Sequence, residues 1–256
     1  VMAEFLDVPY AEVVLAALAS GKHVICEKPL APTAAAAEQI AAAAEKAQGI
    51  FMPAMCIRFW PQWAWLKRAV DDGRYGRVQD AMFRRLGALP PGWFGNGEMS
   101  GGALLDLHVH DSDFVQHLLG MPEGVFSRGY VGASGRIDHI VTQYLYGPDG
   151  PASVTAEGSW TRDEGFGFSM QYAVKFENAT VIHDIGAEQP LKVHQGAESE
   201  AVELEGDGYA AELAYFLECI REGKAPEIVT AADAVASLRL VEAEQQSIET
   251  GQIVTL

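Results

Sequence analysis

His23-Val24-Ile25-Cys26-Glu27-Lys28-Pro29-Leu30 is the stretch that sets the fold. Its short run of β-forming residues lacks polar alternation, the mark of a strand covered on both faces. The strand stops at Glu27, and Lys28-Pro29 turns the chain, through a bond that can be cis before proline. Upstream, Ala11 to Ala19 has a helical pattern that ends at Ser20-Gly21, a normal C-terminal stop. Val1 to Leu6, before that, reads as strand-like. Downstream, an alanine-rich helix runs from Thr33 to Lys46, begun by Pro32-Thr33 and ended near Gly49. Ile50 to Cys56 is then a second buried strand. Strand, helix, strand, helix, strand at these spacings predicts the back half of a parallel, doubly wound sheet.

After Arg58 the pattern changes. A helix from Trp63 to Asp72 closes at Gly73, a strand begins at Val78, and a Pro/Gly/Trp loop spans Pro90 to Gly102. The helix that carries Asp106 and His110 ends at Gly120. From Val125 to about Leu204 come strands Ile140–Tyr146, Ala152–Trp160, Phe168–Glu177, Ala179–Asp184 and Leu191–His194. Gly147-Pro148-Asp149-Gly150 and Glu177-Asn178 are the turns between them. Helices Tyr209–Glu222 and Ala231–Thr250 finish the chain. The expected class is therefore α/β plus α+β, with a parallel sheet in residues 1–57 and a mostly antiparallel one in 58–256. The last helix, 231–250, is free to pack back on the first domain.

With 256 residues the chain buries ample core for two domains. A net charge of −17 argues against nucleic acid, because no basic face exists to displace counterions from phosphates. Cys26, Cys56 and Cys219 are odd in number and lie in apolar or helical runs, which reads as free thiols in a reducing cytoplasm. No run of about eighteen apolar residues and no charged-then-apolar N-terminus is present, so neither a membrane span nor a secretion signal is expected.

Asp106 and His110 stand four apart on a helix and share a face, so the carboxylate can orient the imidazole and raise its basicity. Alcohol oxidation needs such a base, because the hydroxyl proton leaves as the hydride departs. An alternative is a plain surface or cap hydrogen bond. His108 and His110 with Asp106 or Asp111 would make a metal site, as in a hydrolase, only on a strand; on a helix residues two apart diverge by about 200°. Lys28 ends a buried strand, at the edge where open α/β sheets bind ligands, and can steady developing negative charge. Its plain alternative is a solvated lysine beside Glu27. Arg58 sits at the same edge, as a site residue or as half of a salt bridge at the domain junction.

Gly21-Lys22-His23-Val24-Ile25-Cys26-Glu27-Lys28-Pro29-Leu30-Ala31 resembles the central signature of the glucose–fructose oxidoreductase/inositol dehydrogenase family. Gly101-Gly102-Ala103-Leu104-Leu105-Asp106 through His110 and Asp113 resembles that family's second signature. Phe59-Trp60-Pro61, Gly76-Arg77-Val78 and Ser247 through Val254 fit at the expected intervals. The resemblance implies an NAD(P)-dependent oxidoreductase acting on sugars, sugar derivatives or cyclic polyols. It implies a Rossmann domain followed by a domain whose open sheet face makes homodimers or homotetramers. By the same resemblance Lys28 contacts the reacting oxygen and the nicotinamide ribose, and His110 accepts or donates the proton. Asp106 holds substrate and His110, while Glu27 and Pro29 line the nicotinamide side. Arg58, His108, Trp160 and Tyr172 are candidate substrate contacts.

Two positions depart from that pattern. Tyr10 stands where the family has a histidine and is a candidate cofactor contact, and His108 stands where a small residue is usual. The Gly-rich phosphate loop and acidic ribose residue of a Rossmann half are not in these residues, and on the order of seventy residues are expected to precede Val1. The choice between NAD and NADP is expected to lie there too. A non-catalytic, oligomerising family member is the remaining alternative.

Overall fold

The computed structural model describes the backbone of residues 2–3 and 10–256 and the side chains of residues 11–256. Its elements begin with β1 (Met2–Ala3), α1 (Tyr10–Ala19), β2 (Val24–Glu27), α2 (Ala34–Ala44) and β3 (Phe51–Ala54). A 3-10 turn, Cys56–Phe59, leads to α3 (Pro61–Asp71), β4 (Val78–Ala88) and the short α4 (Gly97–Ser100). A π-helical turn, Leu104–His108, runs into α5 (Val109–Leu119). Then come β5 (Gly124–Val131), β6 (Ile137–Leu145), β7 (Ser153–Thr161), β8 (Phe168–Phe176), β9 (Thr180–Asp184), β10 (Leu191–Gln195) and β11 (Glu198–Ala201). The chain closes with α6 (Gly208–Glu222), α7 (Ala231–Thr250) and β12 (Val254–Thr255). Of the strand expected over Val1 to Leu6, only Met2–Ala3 falls within the described residues.

Two compact units result, Val1–Ala64 with Gly206–Glu242, and Trp65–Glu205 with Ala243–Leu256. The first holds a three-stranded sheet in the order β1-β2-β3, parallel throughout, with Ile25 opposite both Met2 and Met52. Val24, Cys26 and Met52 are fully buried, as two-sided coverage of a parallel sheet requires. Thr33 caps α2: its hydroxyl accepts from the Ala36 amide at 3.2 Å, while Glu242 accepts from the Ala34 amide at 2.8 Å. Ile50 N–H donates to His23 Nδ1 at 3.0 Å and ties the start of β3 to that of β2.

In the second unit the described strands form one sheet of nine, in the order β11-β10-β9-β8-β4-β7-β6-β5-β12. Every pair is antiparallel except β4 with β7, which run parallel with Phe83 opposite Ala156. The expected class, a parallel sheet followed by a large, mostly antiparallel one, is what the chain forms. Alternation is strict on β7, where Val154, Ala156, Gly158 and Trp160 are buried and their neighbours half-buried. Phe83 of β4 packs edge-on against Phe114 of α5 with ring centroids 5.9 Å apart, so α5 lies on that buried face. Burying a phenylalanine of this kind contributes about 1.5–3 kcal/mol. The Ile50–Cys56 strand is shorter than expected, because Cys56 begins the 3-10 turn. Among the described residues no helix is long and apolar enough to cross a membrane.

Candidate active site

In the first unit, the carboxyl ends of β2 and β3 form the edge where an open parallel sheet binds ligands. Glu27 and Lys28 are half-buried there, and the peptide from Lys28 to the buried Pro29 is cis. Leu30 and Ala31, both fully buried, anchor the chain just beyond. Tyr10 opens α1, and its side chain lies outside the described residues. A cavity of about 570 Å³, lined by Leu18, Gly21, Ala43 and Ala47 among others, opens at the amino end of β2. That is the wrong edge of the sheet for the chemistry.

Arg58 is buried in the 3-10 turn and committed to structure. Its Nη1 donates to the Ile228 carbonyl at 2.7 Å and lies 3.2 Å from Asp233 Oδ2. Asp233 also accepts from Thr230 N and Oγ1 at 2.8 Å each. The salt-bridge reading of Arg58 therefore replaces the substrate-binding one, with its partner inside the first unit.

A buried carboxyl joins this edge from α6. Gly208, Glu212, Phe216 and Cys219 form the buried stripe of that helix, so Glu212 occupies a core position. Burial, with the Glu27 charge adding, pushes the Glu212 carboxyl up to about 8. Its Oε1 is buried without a hydrogen-bond partner among the described residues. Tyr209, one turn earlier, is held up at about 12 by Cys56 first, then by burial and the charges of Glu27 and Glu212. An orphaned buried oxygen and a lysine at a strand-end turn suit the carboxamide and ribose hydroxyls of a nicotinamide nucleoside, so the residues present fit that half of a dinucleotide.

In the second unit the candidate helix begins at Gly101 and Gly102, with φ of 81° and 75°. Only glycine takes this left-handed conformation readily, and a Cβ on Gly102 would also meet the Ile137 carbonyl oxygen at 2.9 Å. The π turn that follows shifts the helix phase at Asp106, and such turns recur at functional sites. Asp106 and His110 are both half-buried. They stand four apart across the end of the π turn, with Asp106 in that turn and His110 in the first turn of α5.

The other side of this helix is clamped. Arg85 of β4 grips Asp111 with two bonds, Nε to Oδ2 at 2.9 Å and Nη2 to Oδ1 at 3.1 Å, both side chains buried. Ser112 Oγ lies 3.0 and 3.2 Å from the two oxygens of Glu244 and 3.2 Å from Tyr144 Oη. His108, fully buried, brings Nε2 to 3.5 Å from Glu244 Oε2, an ion pair at the limit of hydrogen bonding. Burial works against the imidazolium, yet the Glu244 carboxylate, with Asp111 adding, holds its pKa above the ordinary 6.5.

His108 is thus a buried partner of Glu244 and not a substrate contact. A metal pair with His110 loses its basis for the same reason, and among the described residues no three His, Cys, Asp or Glu side chains group as a metal site. Trp160 is 6% exposed and Tyr172 fully buried, with the Tyr172 ring 5.1 Å from His183 and 6.4 Å from Phe83. Burial raises the Tyr172 hydroxyl well above its ordinary value. Neither aromatic has the open face a pocket wall needs, so both are core. Glu212 and Glu244 went unnoticed in the sequence, although each falls in the apolar stripe of its helix. A carboxyl at a core position was the signal that could have found them.

Two family descriptions match. Residues 10–55 match the oxidoreductase family with an NAD-binding Rossmann fold, and residues 63–182 match the GFO/IDH/MocA C-terminal domain. Scyllo-inositol 2-dehydrogenase (NAD(+)) of Bacillus subtilis is 27% identical, over 96% of this chain and 74% of the relative. Myo-inositol 2-dehydrogenase of Thermotoga maritima is 26% identical, over 96% of this chain and 76% of the relative. Among solved structures, the aldose–aldose oxidoreductase of Caulobacter crescentus complexed with glycerol superposes with a TM-score of 0.83 at 25% identity, over 96% of this chain and 76% of that one.

Proposed function

The chain belongs to the GFO/IDH/MocA oxidoreductase family, and on that premise we propose that it moves hydride between a nicotinamide dinucleotide and a hydroxyl-bearing carbon of a sugar, sugar derivative or cyclic polyol. The observation that carries this reading is the half-buried Asp106–His110 pair on a helix whose opposite side is locked by Arg85–Asp111 and Glu244. A base held on a rigid support keeps the geometry that proton transfer requires.

A bound nicotinamide, NAD or NADP, supplies the hydride acceptor or donor. In the oxidative direction His110 takes the hydroxyl proton, and in reduction it returns that proton to the same oxygen. Asp106 orients the imidazole and holds a neighbouring substrate hydroxyl. Lys28 steadies the charge that grows on the substrate oxygen. Glu27 and Pro29 are the proposed nicotinamide contacts, with Tyr10 a further one.

The alternating strands of the nine-stranded sheet leave half-buried side chains such as Thr155 and Glu157 on the face opposite α5. We assign that open face to contact between copies of the chain, as a dimer or tetramer. Three buried free cysteines support a cytoplasmic setting. Reduction of NAD or NADP by the full chain over a panel of inositols and aldoses tests the assignment. Turnover on at least one, lost in His110→Ala, supports it; no turnover on any sugar or polyol with either cofactor overturns it.

A further inference from the structure

Glu212 is a buried acid with no part in the proton transfer assigned to His110. It is 3% exposed, and its Oε1 has no hydrogen-bond partner among the described residues. Its helix is packed hard onto the turn after β3. The Trp60 ring lies so close to Gly208 that a Cβ there would come within 2.3 Å of it, and Tyr215 meets Phe59 with ring centroids 5.5 Å apart. These contacts fix the helix that carries Glu212. The charge it feels is that of Glu27, the last residue of β2.

We propose that Glu212 is a positioning residue of the dinucleotide site: buried, with Oε1 unpartnered among the described residues, it stays a neutral acid and keeps the end of β2 at one negative charge instead of two. The inference rests on the nicotinamide reading above. A neutral carboxyl adds an O–H donor that a carboxylate lacks. A second carboxylate at this edge would repel a cofactor that is itself an anion, in surroundings where water screens poorly. Tyr209, which feels the Glu212 charge, hydrogen-bonds Cys56 and stays neutral up to about 12. Arg58, in the turn after β3, is held by Asp233 and the Ile228 carbonyl.

The test is NADH affinity, read by fluorescence titration of the full chain at about pH 7 and about pH 9. A proton that binding requires, released near 8, weakens the unaltered chain about tenfold over that interval. Glu212→Gln, neutral at every pH and of the same shape, holds its pH 7 affinity at pH 9. Cys56→Ser keeps the alkaline loss, and Glu27→Gln moves it to lower pH, because burial alone then holds the proton on Glu212 without the added Glu27 charge. An equal loss in Glu212→Gln, a loss abolished by Cys56→Ser, or affinity independent of pH in the unaltered chain overturns the proposal and leaves the cofactor reading standing. Failure of the unaltered chain to bind NADH or NADPH at any pH overturns both.

Discussion

His108 Nε2 lies 3.5 Å from Glu244 Oε2, with both side chains fully buried. Removing one member of such a pair leaves the other charge in a medium that cannot solvate it. Glu244→Ala is expected to cost about 3–5 kcal/mol in chemical denaturation. The sign of the pH effect follows from the raised His108 value. Between the ordinary 6.5 and that value the folded chain holds a proton that the unfolded chain has lost. The contribution is therefore complete below about 6.5 and fades as pH rises through the folded value. Glu244→Gln should lose this slope, and a slope that persists unchanged would separate the histidine from the carboxylate.

Gly158 faces His108 so closely that a Cβ there would sit 2.8 Å from His108 Nδ1 and 2.9 Å from its Cβ. The imidazole cannot move aside, because Glu244 holds it from the other direction. Gly158→Ala is expected to destabilise by about 1–3 kcal/mol through overpacking. In a His108→Ala background the same change should cost less, because the ring contact is gone while the contact with Cβ remains. A double-mutant cycle reads this coupling, and additive costs would mean the strain lies elsewhere.

The bidentate bond from Arg85 to Asp111 joins β4 to α5 one residue after His110. Asp111→Asn keeps the shape, removes the charge and leaves the guanidinium without its counter-ion. The expected loss is about 3–5 kcal/mol in unfolding free energy. Arg85→Met with Asp111→Leu should recover much of it, since replacing both members of a buried pair by apolar residues is often tolerated.

His110→Ala is expected to lower kcat by about 10²–10⁴-fold while NADH affinity stays near that of the unaltered chain. The split matters, because equal losses in binding and turnover would point to a disturbed fold. Near-normal turnover would remove His110 from the proton-transfer role.

How far such residues could be read from the sequence depended on whether their signal was local. The strand at Val24–Glu27, the Thr33 cap and the helix stop at Gly120 each rest on neighbours a few residues away, and each could be read. The parallel pairing of β4 with β7 could not, because alternation identifies a strand's buried face and not its neighbour. β11 and β12, four and two residues long, carry too few side chains to show a period. The Asp106–His110 helix was legible, whereas its π turn was not, since a one-residue change of helix phase leaves no periodic mark over five residues. The motif positions of Arg58 and His108 are visible in the sequence, whereas their partners, Asp233 and Glu244, lie more than a hundred residues away and are not.

Glu212 makes a prediction that needs no cofactor. Its carboxyl titrates at about 8 in the folded chain against 4.5 as its ordinary value. Between those values the folded chain holds a proton that the unfolded chain has released, so stability falls as pH rises. The slope is at most about 1.4 kcal/mol per pH unit, and it ends once the folded group also ionises. Glu212→Gln removes the proton from both states. Its stability relative to the unaltered chain should therefore climb steadily from about pH 5 to about pH 8 and then level off. Urea denaturation in this range, at constant ionic strength, reads the difference directly. A difference that does not change with pH would show that Glu212 ionises normally in the fold, whatever its burial.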